Sequence, residues 1–363
     1  MQDIISLSKK LISYKSETNN TVETRKIIEF CRKYISQNLK DKISVKIYNS
    51  NNFYSLTAVP KGIKTPEFCM VGHLDVVPAP SSEFKPKVKG NRLYGRGASD
   101  MKGVTAAMIQ VFIDILRKNP DKSIALMLTT DEEIGGFNGV NYILNKKGFR
   151  CKCAFIPDGG DNWKMVIEEK GIAHIKIITK GKSVHGSRPW LGENAIEKLI
   201  DIYRDLRKQF PHYDGSKTWK ESMNLGKISG GEAINKVPDT AEMYLDFRFT
   251  KSKSPKQIID TVKNIVGNRG KVYPLITAEV NAQDKNNKYI KSFHKYAEKV
   301  LRRNIPFVKI NGGSDARFFA QYNIPTIIIK PKSGNQHGLN EWIDIKDLQK
   351  FYDVLRGYVE GLV

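Results

Sequence analysis

The feature that most constrains this chain is an alternation of apolar strands and amphipathic helices that breaks off once and then resumes. Helical patterns cover 3–14, 21–37, 101–117 and 137–146, and strand-like runs cover 44–48, 53–59, 68–72, 123–130 and 154–157. Within 21–37, Ile27, Ile28, Cys31, Tyr34 and Ile35 recur at helical spacing, and Asn20 or Thr21 is placed to cap the helix. This alternation predicts an α/β fold, a sheet with helices on both faces. Near residue 172 the order changes to strand 172–180, helix 193–209, strands 223–229 and 241–249, helix 255–267 and strand 273–281. That is the βαββαβ order of a ferredoxin-like unit. The first pattern then returns with helix 287–302, strand 306–310, helix 315–322, strand 325–329 and helix 345–361. The expectation is one α/β domain, residues 1–171 and 284–363, interrupted by an inserted domain, residues 172–283.

Hydrophobic residues make up 40% of the chain, enough for a core of this kind. The net charge of +22 raises the question of nucleic acid. The lysines are spread along the whole chain, and no nucleic-acid module signature is present, so no nucleic-acid partner is expected. A basic surface also draws in a small carboxylate-bearing substrate. Cys31, Cys69, Cys151 and Cys153 are too few for a disulfide scaffold at this length and read as core thiols. The start of the chain lacks the apolar stretch of a signal peptide, and no run of 18 apolar residues occurs. The expectation is a cytoplasmic protein with no membrane partner.

Five polar clusters stand at the ends of these elements. Gly72-His73-Leu74-Asp75 follows an apolar run, and side chains at the carboxyl end of a strand face the crevice where ligands bind. His73 and Asp75, two apart, lie on one side of an extended chain, so one can bind a metal while the other orients it. Asp100 follows a glycine-rich loop and opens the helix at 101–117, where it is either an N-cap or a carboxylate able to bridge two metals. Asp131-Glu132-Glu133 ends the run 123–130, and three adjacent acids call for a compensating cation. With metals there, one glutamate can ligate while its neighbour serves as general base. Asp158 sits in Pro157-Asp158-Gly159-Gly160, also a turn signal. His337 lies in a polar loop after the run 325–329. Two imidazoles and three carboxylates, His73, Asp100, Glu133, Asp158 and His337, suit a pair of zinc ions with one bridging carboxylate.

The motifs GHLDVVP (72–78), LYGRGASDMKG (93–103), TTDEEIGG (129–136), KSVHGSRPWLGENA (182–195), GGEAINKVPDTAEMYLDFR (230–248), GGSDARFF (312–319) and QHGLNE (336–341) resemble one family along nearly the whole chain. It is the family of co-catalytic zinc amidohydrolases that includes succinyl-diaminopimelate desuccinylase, acetylornithine deacetylase, aminoacylase and glutamate carboxypeptidase. The resemblance implies a zinc-peptidase-like catalytic domain and a lid that also dimerises, the 172–283 insert. It implies two Zn2+, with Co2+ or Mn2+ as substitutes. His73 and Asp158 would hold one ion, Glu133 and His337 the other, and Asp100 would bridge. Glu132 would be the general base, and Asp75 would fix the His73 tautomer. His185, supplied by the partner subunit of a homodimer, would stabilise the tetrahedral oxyanion. Asn235, Arg248, Gly313, Ser314 and Arg317 resemble the family's contacts to a substrate carboxylate. The implied reaction is hydrolysis of an amide in an N-acyl amino acid, or of a small peptide by a di- or tripeptidase or carboxypeptidase. One departure separates these readings. At 158 the deacylase branches usually carry Glu, whereas Asp in PDGG is closer to the di- and tripeptidases; the GGSDARF loop resembles the desuccinylases.

Overall fold

Every residue of the strand Ile124–Thr129 is buried, and a strand dry on both faces belongs in the middle of a covered sheet. The computed structural model, which describes residues 2–212 and 219–362, places it in a sheet of six strands. Their order is Ile43–Ser50, Phe53–Pro60, Ile124–Thr129, Phe68–His73, Cys153–Phe155, Thr326–Ile327. The first two form a hairpin closed by Asn51 and Asn52, at φ 48° and 66°, a left-handed pair that asparagine tolerates. The last four run parallel, so their carboxyl ends open along one edge.

Alternate side chains of the parallel strands enter two separate cores, as the pleat requires. Phe68, Met70, Leu126, Leu128 and Phe155 pack with residues of the helices Gln2–Ile12, Thr21–Leu39, Lys102–Lys118, Lys288–Leu301 and Ile345–Gly361. Cys69, Val71, Ala125, Met127 and Ala154 pack with residues of Val140–Asn145 and Ala316–Ala320. Helices thus cover both faces. All four cysteines are buried and unpaired. Asn20 caps the second helix, its side chain accepting from the Glu23 amide at 3.3 Å.

The chain divides into two compact units: Met1–Ile167 with Gln283–Ile310 and Ser314–Val363, and Glu168–Ala282 with Asn311–Gly313. The expected insert at 172–283 lacked the 311–313 tripeptide. The second unit carries an antiparallel sheet in the order Ser222–Gly230, Thr240–Phe249, Gly171–Lys180, Gly270–Ala278. Ala173, Ile175 and Ile177 of the third strand face the helices Ala195–Gln209 and Pro255–Val266. Both helices start on caps: Asn194, and a capping box of Ser254 with Gln257.

Two differences from the sequence reading bear on the site. The helix expected at 137–146 begins only at Val140, because Gly135 and Gly136 take φ 112° and 64° and the Asn138 amide turns back to Asp131 Oδ2 at 2.6 Å. A second small sheet of very short strands, in the order Ser333–Gly334, Trp342–Asp344, Arg92–Tyr94, Lys87–Lys89, joins the loop after residue 334 to the loop after residue 94. Among the described residues no helix is long and apolar enough to cross a membrane.

Candidate metal centre

Three of the clusters follow parallel strands directly. His73 closes its strand and is 2% exposed. Glu132 and Glu133 lie three and four residues beyond Thr129, and Asp158 lies three beyond Phe155. His337 and Asp100 arrive from the two loops joined by the small sheet, where Trp342 pairs with Tyr94 and Ile343 with Leu93.

These six side chains converge. His73 Nε2 is 3.1 Å from Asp100 Oδ1, and His337 Nε2 is 3.0 Å from Asp100 Oδ2 and 3.3 Å from Glu133 Oε2. One ligand atom each from His73, Asp100 and Glu133 falls within 4.8 Å of the others, and the same holds for His73, Glu132 and Asp158. Asp100 does not cap its helix: the N-cap is Met101, without a side-chain hydrogen bond, and the Asp100 carboxylate spans the two imidazoles instead. Asp75 touches His73 mainly through its backbone, whose carbonyl is 3.0 Å from Nδ1, while its carboxylate is 3.5 Å away. That carboxylate accepts from the amides of Glu132 at 3.3 Å and Glu133 at 3.2 Å, and from Thr18 Oγ1 at 2.9 Å. Asp75 therefore holds the acidic turn as well as the ring.

The electrostatics are those of a site short of positive charge. Burial raises the Glu132 pKa well above the usual carboxylate value, and Asp158 beside it adds to the effect. Burial presses the His73 imidazole down, but its bonds to Asp100 and Asp75 outweigh this and raise it well above normal. Hydrogen bonds to Asp100 and then Glu133 push His337 up to about 10. Glu133 Oε1 is buried with no hydrogen-bond partner. An orphaned carboxylate oxygen among converging N and O donors fits a divalent cation. Burial also raises the pKa of Asp131, the third acid of the run, to about 8, while the Asn138 amide donates to its Oδ2.

Residues that the sequence reading gave no role hold this arrangement. Glu341, fully buried, accepts from Arg96 Nη1 at 2.6 Å and from the amides of Gly97, Ser99 and Asp100 at 3.1, 2.8 and 2.9 Å. Arg96 Nη2 reaches on to the His337 carbonyl at 3.0 Å. Gly97, at φ 87°, lies against the stem of Lys102. Gly136, at φ 64°, has its would-be Cβ site occupied by the Asp315 carboxylate. Arg317, expected at a substrate carboxylate, is 6% exposed and donates to the carbonyls of Ser314 at 3.0 Å and Gly135 at 2.9 Å, so it ties two loops together. Ser314 is buried, and Gly313 groups with the second unit.

Asn235, Arg248 and His185 also belong to the second unit. Arg248 Nε pairs with Asp246 at 2.9 Å. The Asn235 carbonyl accepts from the Gly186 amide at 2.7 Å, which sets Asn235 beside His185. The Ser187 amide, 3.1 Å from His185 Nδ1, makes that nitrogen an acceptor. With Nδ1 accepting, Nε2 is the nitrogen left to donate, on an exposed side chain.

Lys102 is fully buried, its Nζ on the Tyr14 carbonyl at 2.9 Å. Burial lowers its pKa to about 7, with Glu341 pulling the other way. An unfolded lysine titrates near ~10.4. Between about pH 7 and about 10.4 the unfolded chain therefore holds a proton the folded chain lacks, and stability rises with pH by up to about 1.4 kcal/mol per unit. Below that window both states are protonated and the contribution is flat. Lys102→Met removes it, so its stability advantage over the parent is largest at neutral pH and shrinks toward pH 10. Urea unfolding of the metal-free proteins across that range checks this, and curves that stay parallel would refute it.

With this geometry in hand, comparisons with known proteins agree in direction. Residues 69–361 match the model of peptidase family M20/M25/M40. The chain is 30% identical over 386 residues to a succinyl-diaminopimelate desuccinylase of Rickettsia bellii, covering 97% of this chain and 94% of that protein. It is 29% identical to the enzyme of that name from Rickettsia africae, covering 98% of each. Among solved structures, an M20 family metallo-carboxypeptidase from Sulfolobus solfataricus superposes with a TM-score of 0.83 at 17% identity, covering 99% of both chains. The aminopeptidase PepT of Bacillus cereus gives 0.77 at 19%, covering 99% of this chain and 98% of that one.

Proposed function

The chain belongs to peptidase family M20/M25/M40, a metal-dependent amide hydrolase, and from that premise we propose that it is a di-zinc deacylase of an N-acyl amino acid such as N-succinyl-diaminopimelate. The observation that carries this reading is the meeting of His73, Asp100, Glu132, Glu133, Asp158 and His337 at the sheet's carboxyl edge, in a chain resembling desuccinylases over its full length. His73 and Asp158 would hold one ion, Glu133 and His337 the other, with Asp100 between them; Co2+ or Mn2+ could replace zinc. Such ions, when bound, would supply polarisation of an amide carbonyl and a water whose pKa is lowered toward about 7. Glu132 takes the proton of the attacking water, a transfer that its raised pKa suits, and hands it to the leaving nitrogen. Asp75 keeps Glu132 and Glu133 in place through their amides. His185 Nε2–H, from the partner subunit of a homodimer formed through the second unit as lid, donates to the oxyanion. Asn235, Arg248 and the Gly313–Ser314 loop receive the substrate carboxylate, where the flat guanidinium of Arg248 offers two parallel donors. The enzyme works in the cytoplasm.

Asp158 favours a second reading, a di- or tripeptidase, since its carboxylate is one methylene shorter than the glutamate usual in deacylases. Hydrolysis of N-succinyl-diaminopimelate, N-acetylornithine and a set of dipeptides, each with and without chelator, separates the two. Chelator-sensitive release from the acyl amino acids is expected. Cleavage of dipeptides alone would replace the deacylase reading with the peptidase one, and activity indifferent to chelator would end both.

A further inference from the structure

Lys330 follows the buried run Thr326-Ile327-Ile328-Ile329, and its own side chain is 1% exposed. An ammonium group in such a place is costly, and nothing in the surrounding apolar packing calls for one. Its carboxylate contact is Asp161, with Oδ1 3.1 Å away, a side chain 61% exposed and hence a weak partner, while Asp100 and Asp158 act on the ammonium through their charge. The other contact is more telling: Lys330 Nζ donates to Gln336 Oε1 at 3.1 Å. An ammonium has only donors, so it draws the amide oxygen toward itself and turns the amide nitrogen away. That nitrogen, Nε2, donates to Asp100 Oδ2 at 2.6 Å. The flipped amide would set NH2 against the ammonium and a carbonyl oxygen against the carboxylate, two repulsions in place of two bonds.

We infer that Lys330 and Gln336 are positioning residues: the buried ammonium fixes one orientation of the Gln336 amide, and that amide fixes the Asp100 carboxylate across His73 and His337. The inference rests on the metal-centre reading of the site and deepens it. Among the described residues Asp100 is the one carboxylate with each oxygen beside a different imidazole, so its rotation decides whether both sides of the site are complete at once. Partners that orient a metal-binding carboxylate typically govern about 10- to 100-fold in affinity.

The test titrates the metal-free full-length protein with zinc against a chromophoric chelator. Gln336→Leu and Lys330→Met are each expected to weaken zinc binding by about 10- to 100-fold. The double variant should lose less than the two single losses combined, because the lysine acts mainly through the amide and only in part through its own field on Asp100, and fully additive losses would overturn the coupling. Asp161→Asn should bind like the parent. Thermal unfolding of the metal-free variants is read alongside, since a merely structural lysine would lower the melting temperature without shifting chelator competition. Parent-like affinity in Gln336→Leu overturns the inference, as does tighter zinc in Lys330→Met, which would make the ammonium simple repulsion. If Lys330→Met does not fold, Gln336→Leu, at an exposed side chain, decides alone. A parent protein that takes up no zinc overturns the metal-centre reading itself, a result distinct from either.

Discussion

Glu132→Gln is expected to lower kcat by about 10²- to 10⁴-fold, the span typical of a lost general base, while metal content stays at the parent level. Glutamine keeps the shape and burial of the side chain but cannot carry the proton between water and the leaving nitrogen. Burial, with Asp158 beside it, raises the Glu132 pKa well above the ordinary carboxylate value, which strengthens it as a proton acceptor. The variant should therefore also lose the acidic limb of the rate profile that the parent shows. Metal analysis and a pH-rate profile on the same preparation make the check. Near-parental turnover would remove Glu132 from its assigned role, and loss of metal would place it among the ligands instead.

The largest expected effect on stability is at Glu341. Glu341→Ala strips four hydrogen bonds from one buried carboxylate, leaving Arg96 without its partner and three loop amides without acceptors. Breaking a buried ion pair by removing one partner costs about 3–5 kcal/mol, and orphaned buried donors add to that. Against a typical total of about 5–15 kcal/mol, much of the folded population is at stake. Glu341→Gln keeps one acceptor oxygen and should fall between the two. Urea unfolding of metal-free protein reads the loss directly. A change below about 1 kcal/mol in Glu341→Ala would mean that water satisfies the loop instead.

The difference between these two glutamates shows what the sequence could convey. Glu132 stands at the end of a six-residue apolar run, long enough to announce a buried strand, so its place at a crevice edge followed from pattern alone. His73 and Asp158 stood at similar strand ends, but Pro157-Asp158-Gly159 alone reads as a turn and His73 alone as a surface histidine, so only their combination pointed to a site; the βαββαβ order was legible from its periodicities. Glu341 and Lys330 were not. Glu341 acts through strands of two or three residues, Ser333–Gly334, Trp342–Asp344 and Arg92–Tyr94, too short to leave a period and defined only by pairing across the fold. Lys330 ends an apolar run as a surface lysine would, and only the packed chain reveals the glutamine it faces. Arg317 shows the converse: the resemblance placed it at a substrate carboxylate, whereas in the folded chain its guanidinium donates to the backbone carbonyls of Ser314 and Gly135. In Asp131-Glu132-Glu133, mutual repulsion was evident from spacing, but not that burial eases it by raising the Asp131 pKa to about 8.

Asp100 meets His337 across 237 residues of sequence. A nascent chain on the ribosome therefore exposes His73, Asp100, Glu132, Glu133 and Asp158 long before the last histidine emerges. Until then the acidic edge has no partner from the far end of the polypeptide, and a product cut short ahead of residue 337 never acquires one. The second imidazole beside the Asp100 carboxylate is in this way supplied only by a chain made past residue 337.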